Sequence, residues 1–143
     1  MSLIIFRLSG IYSNEKSILS KLKKNISRVT DIENKIFSRI HIEDISNILF
    51  ESFFHKELKK NEIFNISDNY PCPYKEVVEY GCKLLNIKKP KVFLFEEADD
   101  CQLKDFYKDS KKVSNKKVKK FFNYKLKFPS YIEGLNYIRD NFI

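Results

Sequence analysis

Short apolar runs alternate with amphipathic stretches along the 143 residues of the chain. The apolar, β-branched run Leu3–Leu8 predicts a buried strand. Similar runs predict strands at Lys35–Ile40, Glu62–Ser67 and Lys91–Phe95. Between these runs, apolar residues recur every three or four positions, as they do on one face of a helix. With no internal repeat or low-complexity tract, this alternation predicts a single α/β domain over residues 1–143.

Five segments combine helical spacing with a start signal. After a turn at Gly10, Ser13 is a candidate cap for a helix ending at Ile26. Pro73 is placed to open a helix, Ser114 to cap a short one ending near Phe122, and Ser130 to Glu133 form a capping box. The remaining helix has acidic residues in its first turn, which favours its dipole. The expected apolar faces are Ile18, Leu19, Leu22 and Ile26; Ile42, Ile45, Leu49 and Phe53; Val77, Val78 and Leu85; and Tyr131, Leu135, Ile138 and Phe142.

Composition narrows the class of protein. A hydrophobic content of 43% and an aromatic content of 15% are typical of a folded globular domain. No apolar run approaches the roughly 20 residues of a membrane-spanning helix, and no signal peptide is recognisable. The three cysteines, Cys72, Cys82 and Cys101, are odd in number and far apart. We therefore expect a cytoplasmic protein without a membrane segment.

The formal charge of +8 raises the alternative of a basic nucleic-acid-binding module. Only four of the 27 basic residues are arginine, the side chain best suited to bidentate contacts with phosphates and bases. Lysine runs also serve as a solvated surface, which supports solubility and weak binding without specifying a function. Nucleic-acid binding is thus the alternative interpretation.

Most sequence signatures of catalysis are missing. The three glycines, Gly10, Gly81 and Gly134, are scattered, so they form no dinucleotide loop or P-loop, and no zinc spacing occurs. The acidic group from Glu96 to Asp100 lacks the pattern of a calcium loop. Tyr-x-x-x-Lys occurs at Tyr12/Lys16 and at Tyr107/Lys111, close to the number of matches expected by chance. We predict no catalytic residue and no metal site.

Five phrases along the chain nevertheless occur in a recognisable order. Together they resemble the extended short-chain dehydrogenases/reductases, the NAD(P)-dependent epimerase/dehydratase family. Its members have R-x-x-x-x-Y-G after a strand, H-V-x-D at a helix start, a Y-N-v-x-D strand, and closing elements with an aromatic-Pro turn. The corresponding phrases are "RLSGIY", "RIHIEDI", "EIFNISDN", "YKEVVEYGCKLLNIKKP" and "KKVSNKKVKKFFNYKLKFPSYIEGL".

The resemblance implies a fold and a limit on activity. It equates Leu3–Leu8 with the sixth strand of the family's Rossmann sheet. In the family, the glycine-rich loop and the catalytic Ser/Thr and Tyr-x-x-x-Lys precede that strand. We therefore expect the C-terminal, substrate-side part of a Rossmann-type fold, lacking the N-terminal dinucleotide-binding half. Such a chain is a fragment, a split-gene product or a degenerate remnant, and NAD or NADP is not expected to bind tightly to it alone.

The resemblance also assigns site residues. It places Ser9, Gly10, Ile11 and Tyr12 beside the nicotinamide, and Arg39, His41 and Asn65 at the substrate. His41 and Asn65 equally suit a structural role in fixing the backbone. Phe37 stands where nucleotide-sugar members carry a diphosphate-binding arginine, which puts a nucleotide-sugar substrate in doubt.

The resemblance also implies which partners to expect. Without the fifth strand of the family's sheet, one edge of Leu3–Leu8 is left open, and open edges pair with other chains. We expect either the missing N-terminal half or a second copy to bind there, and a small, sugar-like substrate in the pocket. A structural or regulatory remnant without catalysis is the third interpretation.

Overall fold

A computed structural model describes residues 3–24, 29–31, 35–55, 61–90, 92–94 and 110–143. Within them, strands and helices alternate as the sequence predicts. The strands are β1 (Ile4–Leu8), β2 (Gly10–Tyr12), β3 (Val29–Asp31), β4 (Ile36–Phe37), β5 (Arg39–His41), β6 (Glu62–Ile66), β7 (Cys72–Pro73) and β8 (Val92–Leu94). The helices are α1 (Ile18–Lys23), α2 (Ile42–Phe54), α3 (Tyr74–Leu85), α4 (Lys116–Phe122) and α5 (Tyr131–Phe142).

The strands pair two by two, and three of the four pairs are parallel. β1 pairs with β6 in a parallel register that runs from Ile4 opposite Glu62 to Leu8 opposite Ile66. β2 pairs with β5, and β3 with β8, also in parallel, whereas the short strands β4 and β7 are antiparallel. Parallel neighbours need a crossover connection, which α2 provides between β1 and β6. The α/β prediction is confirmed.

The predicted turn at Gly10 is wrong, because Gly10–Tyr12 is a strand. At Ser9 the chain changes partners: the Ser9 amide donates to Ile66 O at 3.0 Å, and the Gly10 amide donates to Ser38 O at 3.1 Å. A Cβ on Gly10 would lie 3.3 Å from that same carbonyl oxygen. The glycine therefore serves close strand-to-strand approach and has no positive φ.

Helix α1 begins four residues later than predicted. Ser17, not Ser13, is its N-cap, and it exchanges hydrogen bonds with Ser20 in a capping box. Ser13 instead accepts a hydrogen bond from the Lys16 amide in the loop before the helix. The helix ends at Lys23, and Ile26 lies outside the described residues. Its buried side is Ile18, Leu19 and Leu22, as predicted.

Helix α2 turns a different face to the core from the predicted one. Its buried residues are Asp44, Ile45 and Ile48, whereas Phe53 is 82% exposed and Ile42 and Leu49 are also exposed. The helix carries apolar residues on more than one side, so spacing alone did not identify the packed stripe. Asp44 fixes the rotation of the helix, because its buried carboxylate accepts hydrogen bonds from the segment before α5.

The last two helices follow the prediction more closely. Ser130 and Glu133 form the expected capping box of α5, and Tyr131, Leu135 and Ile138 are buried on one side. Phe142, predicted on the same side, is exposed. Helix α4 ends at Phe122 as expected, but Asn115 rather than Ser114 is its N-cap.

Two clusters of buried side chains make up the described core. One lies between α1, α3, α5 and Tyr12 of β2. The other lies between β1, β5, β6, α2 and α4, and is dominated by aliphatic side chains and by Phe64 and Phe122. Strand β5 runs between the two, since it pairs with β2 and contacts both α2 and α5. The junction between β5 and α2, at His41 and Ile42, is therefore held from two sides.

Candidate ligand-binding cavity

A cavity of about 210 Å³ opens beside β2 and β5, between α1, α3 and α5. It lies past the carboxyl end of β1, where the chain passes through Ser9 into β2. In open parallel α/β sheets, ligands bind outside the carboxyl ends of the strands. Its lining residues are Gly10, Ile11, Tyr12, Lys16, Ser17, Ile18, Lys21, Phe37, Ser38, Arg39, Tyr74, Val77, Tyr131 and Leu135.

Among the described residues, the charged members of the lining are all cations: Lys16, Lys21 and Arg39. One guanidinium nitrogen of Arg39, Nη1, donates to the carbonyl oxygens of Phe37 at 3.0 Å and Cys72 at 3.2 Å. It also approaches the Cys72 thiol sulfur at 3.2 Å. Burial raises the pKa of that thiol to about 11, so it stays protonated. Arg39 is thus oriented by two backbone carbonyls rather than by a neighbouring carboxylate.

Tyr12 forms the buried back of the cavity. Its ring packs against His41 with centroids 5.0 Å apart, and its hydroxyl oxygen lies 3.5 Å from Ser130 O. Burial, with smaller effects from the Asp68 and Asp44 carboxylates, raises the pKa of the phenol far above its usual value. A tyrosine that keeps its proton does not act as a base. Burial and the neighbouring carboxylates thus disfavour the phenolate that a Tyr-x-x-x-Lys base would need at Tyr12, and Tyr107 lies outside the described residues.

His41 is the N-cap of α2. Its Nδ1 accepts a hydrogen bond from the Glu43 amide at 3.2 Å, so the neutral ring carries its proton on Nε2. The ring packs among aromatic side chains in tilted and edge-to-face contacts, with its centroid 4.2 Å from that of Phe128. Burial lowers the pKa of this imidazole, against the opposing effects of nearby carboxylates. The cap and the burial both favour the neutral form.

Asp44, three residues later, ties α2 to the segment before α5. Its carboxylate accepts hydrogen bonds from the Lys127 amide at 2.7 Å, the Phe128 amide at 3.0 Å and the Tyr124 hydroxyl at 2.8 Å. The side chain is completely buried. A buried carboxylate with three donors is well compensated, which explains how a charged residue occupies the core side of an amphipathic helix.

A second polar group holds the loop after β6. The Asn115 side-chain amide donates to Ser67 O at 2.8 Å, Asp68 O at 3.0 Å and Asn69 Oδ1 at 2.9 Å. Asp68 Oδ1 accepts from the Tyr70 amide at 3.0 Å, which holds the chain as it leaves β6. Burial raises the pKa of the Asp68 carboxyl to about 7, although the Tyr70 amide and Arg39 oppose the shift.

The predicted site residues separate into two groups. Gly10, Ile11, Tyr12 and Arg39 line the cavity because β2 pairs with β5, and their predicted ligand roles stay predictions. Ser9, His41 and Asn65 are not part of its lining. Ser9 is half-buried behind β2, His41 caps α2, and Asn65 lies on β6 opposite Arg7. A ligand role for these three residues stays a prediction.

Sequence analysis missed the residues that approach the cavity from the helices. Lys16 comes from the loop before α1, Lys21 from the last turn of α1, Tyr74 and Val77 from α3, and Tyr131 and Leu135 from α5. Val77 and Leu135 were expected only as core. No local signal marks these residues, because their meeting depends on how three helices pack. The apolar spacing of α3 and α5 indicated buried faces but not a gap between them.

A dinucleotide does not fit the described residues. The pyrophosphate of such cofactors is held by a glycine-rich loop at a helix N-terminus. Here Gly81 and Gly134 lie inside helices against Leu22 and Tyr12, and Gly10 serves strand pairing. The described part of the chain also holds no cluster of three metal-ligating side chains, and the acidic group at residues 96–100 lies outside it.

The described residues also bear on two further expectations, which concern a membrane segment and the cysteines. No described helix has the length and apolar character needed to cross a membrane. Cys72 and Cys82 are free and buried, and Cys101 is outside the described residues.

Comparison with known proteins gives structural neighbours only. No protein-family model matches the chain, and neither does any curated protein. A functionally unknown conserved protein from Silicibacter pomeroyi matches over 97% of this chain and 49% of its own, with 32% identity and a TM-score of 0.88. The dTDP-glucose 4,6-dehydratase of Bacillus anthracis, solved with NAD, has 17% identity and a TM-score of 0.71 over 96% of this chain and 43% of its own. The human epimerase family protein SDR39U1, solved with NADPH, has 14% identity and a TM-score of 0.77 over 99% and 49%.

The fraction of each protein that the match covers is as informative as its TM-score. The chain spans about half the length of each of these structures, yet almost all of it is matched. The predicted fold class is therefore confirmed. The chain has the fold of the C-terminal half of Rossmann-like NAD-dependent epimerase/dehydratase structures.

Proposed function

We propose that the chain is the substrate-side part of an NAD(P)-dependent epimerase/dehydratase-like protein, in which its cavity holds part of a small-molecule substrate. The observation that carries the proposal is the position of the cavity, at the carboxyl end of β1 and against Gly10–Tyr12. This is the end of a parallel sheet at which such folds bind ligands. Ser9–Tyr12 would lie along the edge that faces the nicotinamide.

The proposed contribution is binding and orientation rather than proton transfer. Tyr12 keeps its proton, and its hydroxyl faces Ser130 O rather than the open side of the cavity. Arg39, fixed by two backbone carbonyls, is suited to hold a substrate group in one place. Hydride transfer, the chemistry that a nicotinamide supplies, would depend on groups that the described residues do not include.

Two binding measurements test the proposal. In calorimetry, NAD and NADP should give no saturable binding at micromolar concentration, because the part of the chain that the structure describes offers no pyrophosphate cradle. In amide NMR titrations, at least one probe among glucose, glucose 1-phosphate, benzyl alcohol and benzoate should shift the signals of Gly10, Ile11 and Arg39. A micromolar dissociation constant for NAD(P), or no probe that reaches these amides, would overturn the proposal.

The nucleic-acid alternative makes a different prediction for the same spectra. Helix α4 carries four lysines, but Lys117 pairs with Glu62 at 2.7 Å and Lys119 donates to Asn69 Oδ1 at 2.7 Å. Any DNA binding should thus be weak, sequence-independent and lost by about 200 mM salt. A sequence-selective complex that survives this salt and shifts the α4 amides would favour the alternative.

A further inference from the structure

We propose that the ligand of the cavity is a small hydrophobic organic acid, with an aromatic or branched body and one carboxylate, rather than a sugar or a nucleotide sugar. This proposal rests on the proposed function, because it concerns the substrate class of the same cavity. It follows from three properties of the lining: its charge, the chemistry of its uncharged residues and its size.

The charge of the lining favours an anion. Lys16, Lys21 and Arg39 contribute three positive charges, and none of the lining residues in the described part of the chain is an aspartate or a glutamate. Among the described residues, no carboxylate pairs with the ammonium group of Lys16 or Lys21. Arg39 uses Nη1 for backbone carbonyls, which leaves Nη2 and Nε without a described partner. A planar fork with two unused N–H directions is the geometry that binds a carboxylate in a bidentate manner.

The uncharged lining favours an apolar body over a hydroxyl-rich one. Phe37, Tyr74, Tyr131, Val77, Leu135 and Ile18 present rings and branched chains. Three of the hydroxyl groups in the lining already make one hydrogen bond each within the protein. Ser17 Oγ accepts from the Ser20 amide, Ser38 Oγ accepts from the Val113 amide at 2.8 Å, and Tyr131 Oη donates to Glu76 at 2.8 Å. Recognition of a sugar requires hydrogen bonds to several hydroxyl groups, and this lining offers few.

The volume of the cavity limits the size of its ligand. Its 210 Å³ is below the roughly 300–1,000 Å³ of pockets that take drug-sized ligands. A nucleotide sugar is larger than such ligands. A ring or a branched chain with one carboxylate matches both the space and the charge.

The first test compares ligands of equal shape and different charge. Benzoate and benzamide differ in charge but hardly in size, so they isolate the contribution of the cations. In amide NMR titrations at low ionic strength, we expect benzoate to bind at least about tenfold more tightly than benzamide, a difference of about 1.4 kcal/mol. Glucose 1-phosphate, an anion with a hydroxyl-rich body, should bind more weakly than benzoate.

The second test removes the cations one at a time. Lys16→Gln and Lys21→Gln should each weaken benzoate binding about threefold or more, and leave benzamide binding unchanged. Lys23→Gln is the matched control, because Lys23 lies on the same helix, is exposed and does not line the cavity. Arg39→Gln should have the largest effect. That change also removes hydrogen bonds to Phe37 and Cys72. Arg39→Lys is therefore measured beside it, and the thermal unfolding of both variants is compared with that of the native protein.

The outcomes separate this inference from the function on which it rests. If benzamide or glucose 1-phosphate shifts the cavity amides as strongly as benzoate does, the cavity binds a small molecule but the assigned class is wrong. Equal effects of Lys16→Gln, Lys21→Gln and Lys23→Gln on benzoate would also overturn the inference. If no probe reaches the cavity amides, the proposed function itself fails.

Discussion

At the scale of single residues, the contact between Tyr12 and Gly134 accounts for two features of the sequence at once. Tyr12 is 8% exposed, and its ring lies directly against the backbone of α5. A Cβ on Gly134 would overlap the Tyr12 hydroxyl and come within 2.7 Å of two ring carbons. The glycine of the "EGL" phrase therefore leaves room for the tyrosine of "RLSGIY", although the two are far apart in sequence.

Gly134→Ala should consequently destabilise the protein. Alanine improves helix propensity by up to about 1 kcal/mol. Overpacking of a filled site costs about 1–3 kcal/mol, and a rigid buried ring cannot move aside easily. We expect a net loss of about 1–2 kcal/mol in the free energy of unfolding, measured by denaturant titration.

Gly81→Ala is the matched control, since Gly81 also lies inside a helix. A Cβ there would meet the terminal methyl groups of Leu22 and Ile18 at 3.0–3.1 Å, and these side chains can adjust. The free energy of unfolding of this variant should lie within about 0.5 kcal/mol of the native value, because the mild contact offsets the gain in helix propensity. If Gly134→Ala is as stable as Gly81→Ala, the proposed role of the glycine is wrong.

At the scale of elements, the rotation of α2 depends on a single carboxylate. Both oxygens of Asp44 are used: Oδ1 accepts from the Lys127 amide and the Tyr124 hydroxyl, and Oδ2 accepts from the Phe128 amide. The same helix has exposed aromatic residues at Phe50, Phe53 and Phe54. Without Asp44, these larger side chains would compete for the core side of the helix.

Asp44→Ala should cost about 3 kcal/mol, because three donors lose a buried acceptor. Asp44→Asn should cost less, since its amide oxygen can still accept from the Lys127 amide and the Tyr124 hydroxyl, and only the Phe128 amide loses its acceptor. Asp140→Ala is the control, because Asp140 is exposed and pairs only with its neighbour Arg139. A change within about 0.5 kcal/mol is expected there. Equal unfolding midpoints for Asp44→Ala and Asp140→Ala would contradict this role.

The helices and strands also show which features of the fold can be predicted from local sequence patterns. The strands Leu3–Leu8 and Glu62–Ser67 and the capping box at Ser130 follow from local chemistry, and they are found within a residue of the predicted bounds. The face of α2 and the strand at Gly10 were predicted wrongly, because both depend on partners distant in sequence. Those partners are residues 124–128 for Asp44 and residues 38–39 for Gly10. The cavity has the same origin, which is why only its β2 and β5 residues could be predicted.

At the scale of the whole molecule, the β1–β6 pair carries an open apolar face. Ile5 and Ile63 lie opposite each other in the register and are 40% and 42% exposed. β1 has no described strand on its other side. Parallel sheets are normally covered on both faces, and an open edge pairs readily with another chain.

We therefore expect the isolated chain to self-associate, or to be stabilised by a partner that supplies the neighbouring strand. Size-exclusion chromatography with light scattering measures the first outcome. Ile5→Lys places a charge on the open face and should shift the distribution towards monomer. Asn141→Lys adds the same charge on the exposed end of α5 and should change nothing. A monomer at high concentration that Ile5→Lys leaves unaffected would contradict the prediction.

The contact between Tyr12 and the start of α5 has a consequence for the order of folding. Tyr12 and Ser130 are 118 positions apart, and the hydrogen bonds of Asp44 span more than 80 positions. Contacts of this separation make folding slow, because a long loop must close before any of them forms. During synthesis, the core around Tyr12, Leu19 and Val78 stays uncovered until residues 131–142 have emerged. A premature stop that removes only α5 would thus expose the N-terminal core, and such chains should be cleared or aggregate rather than accumulate.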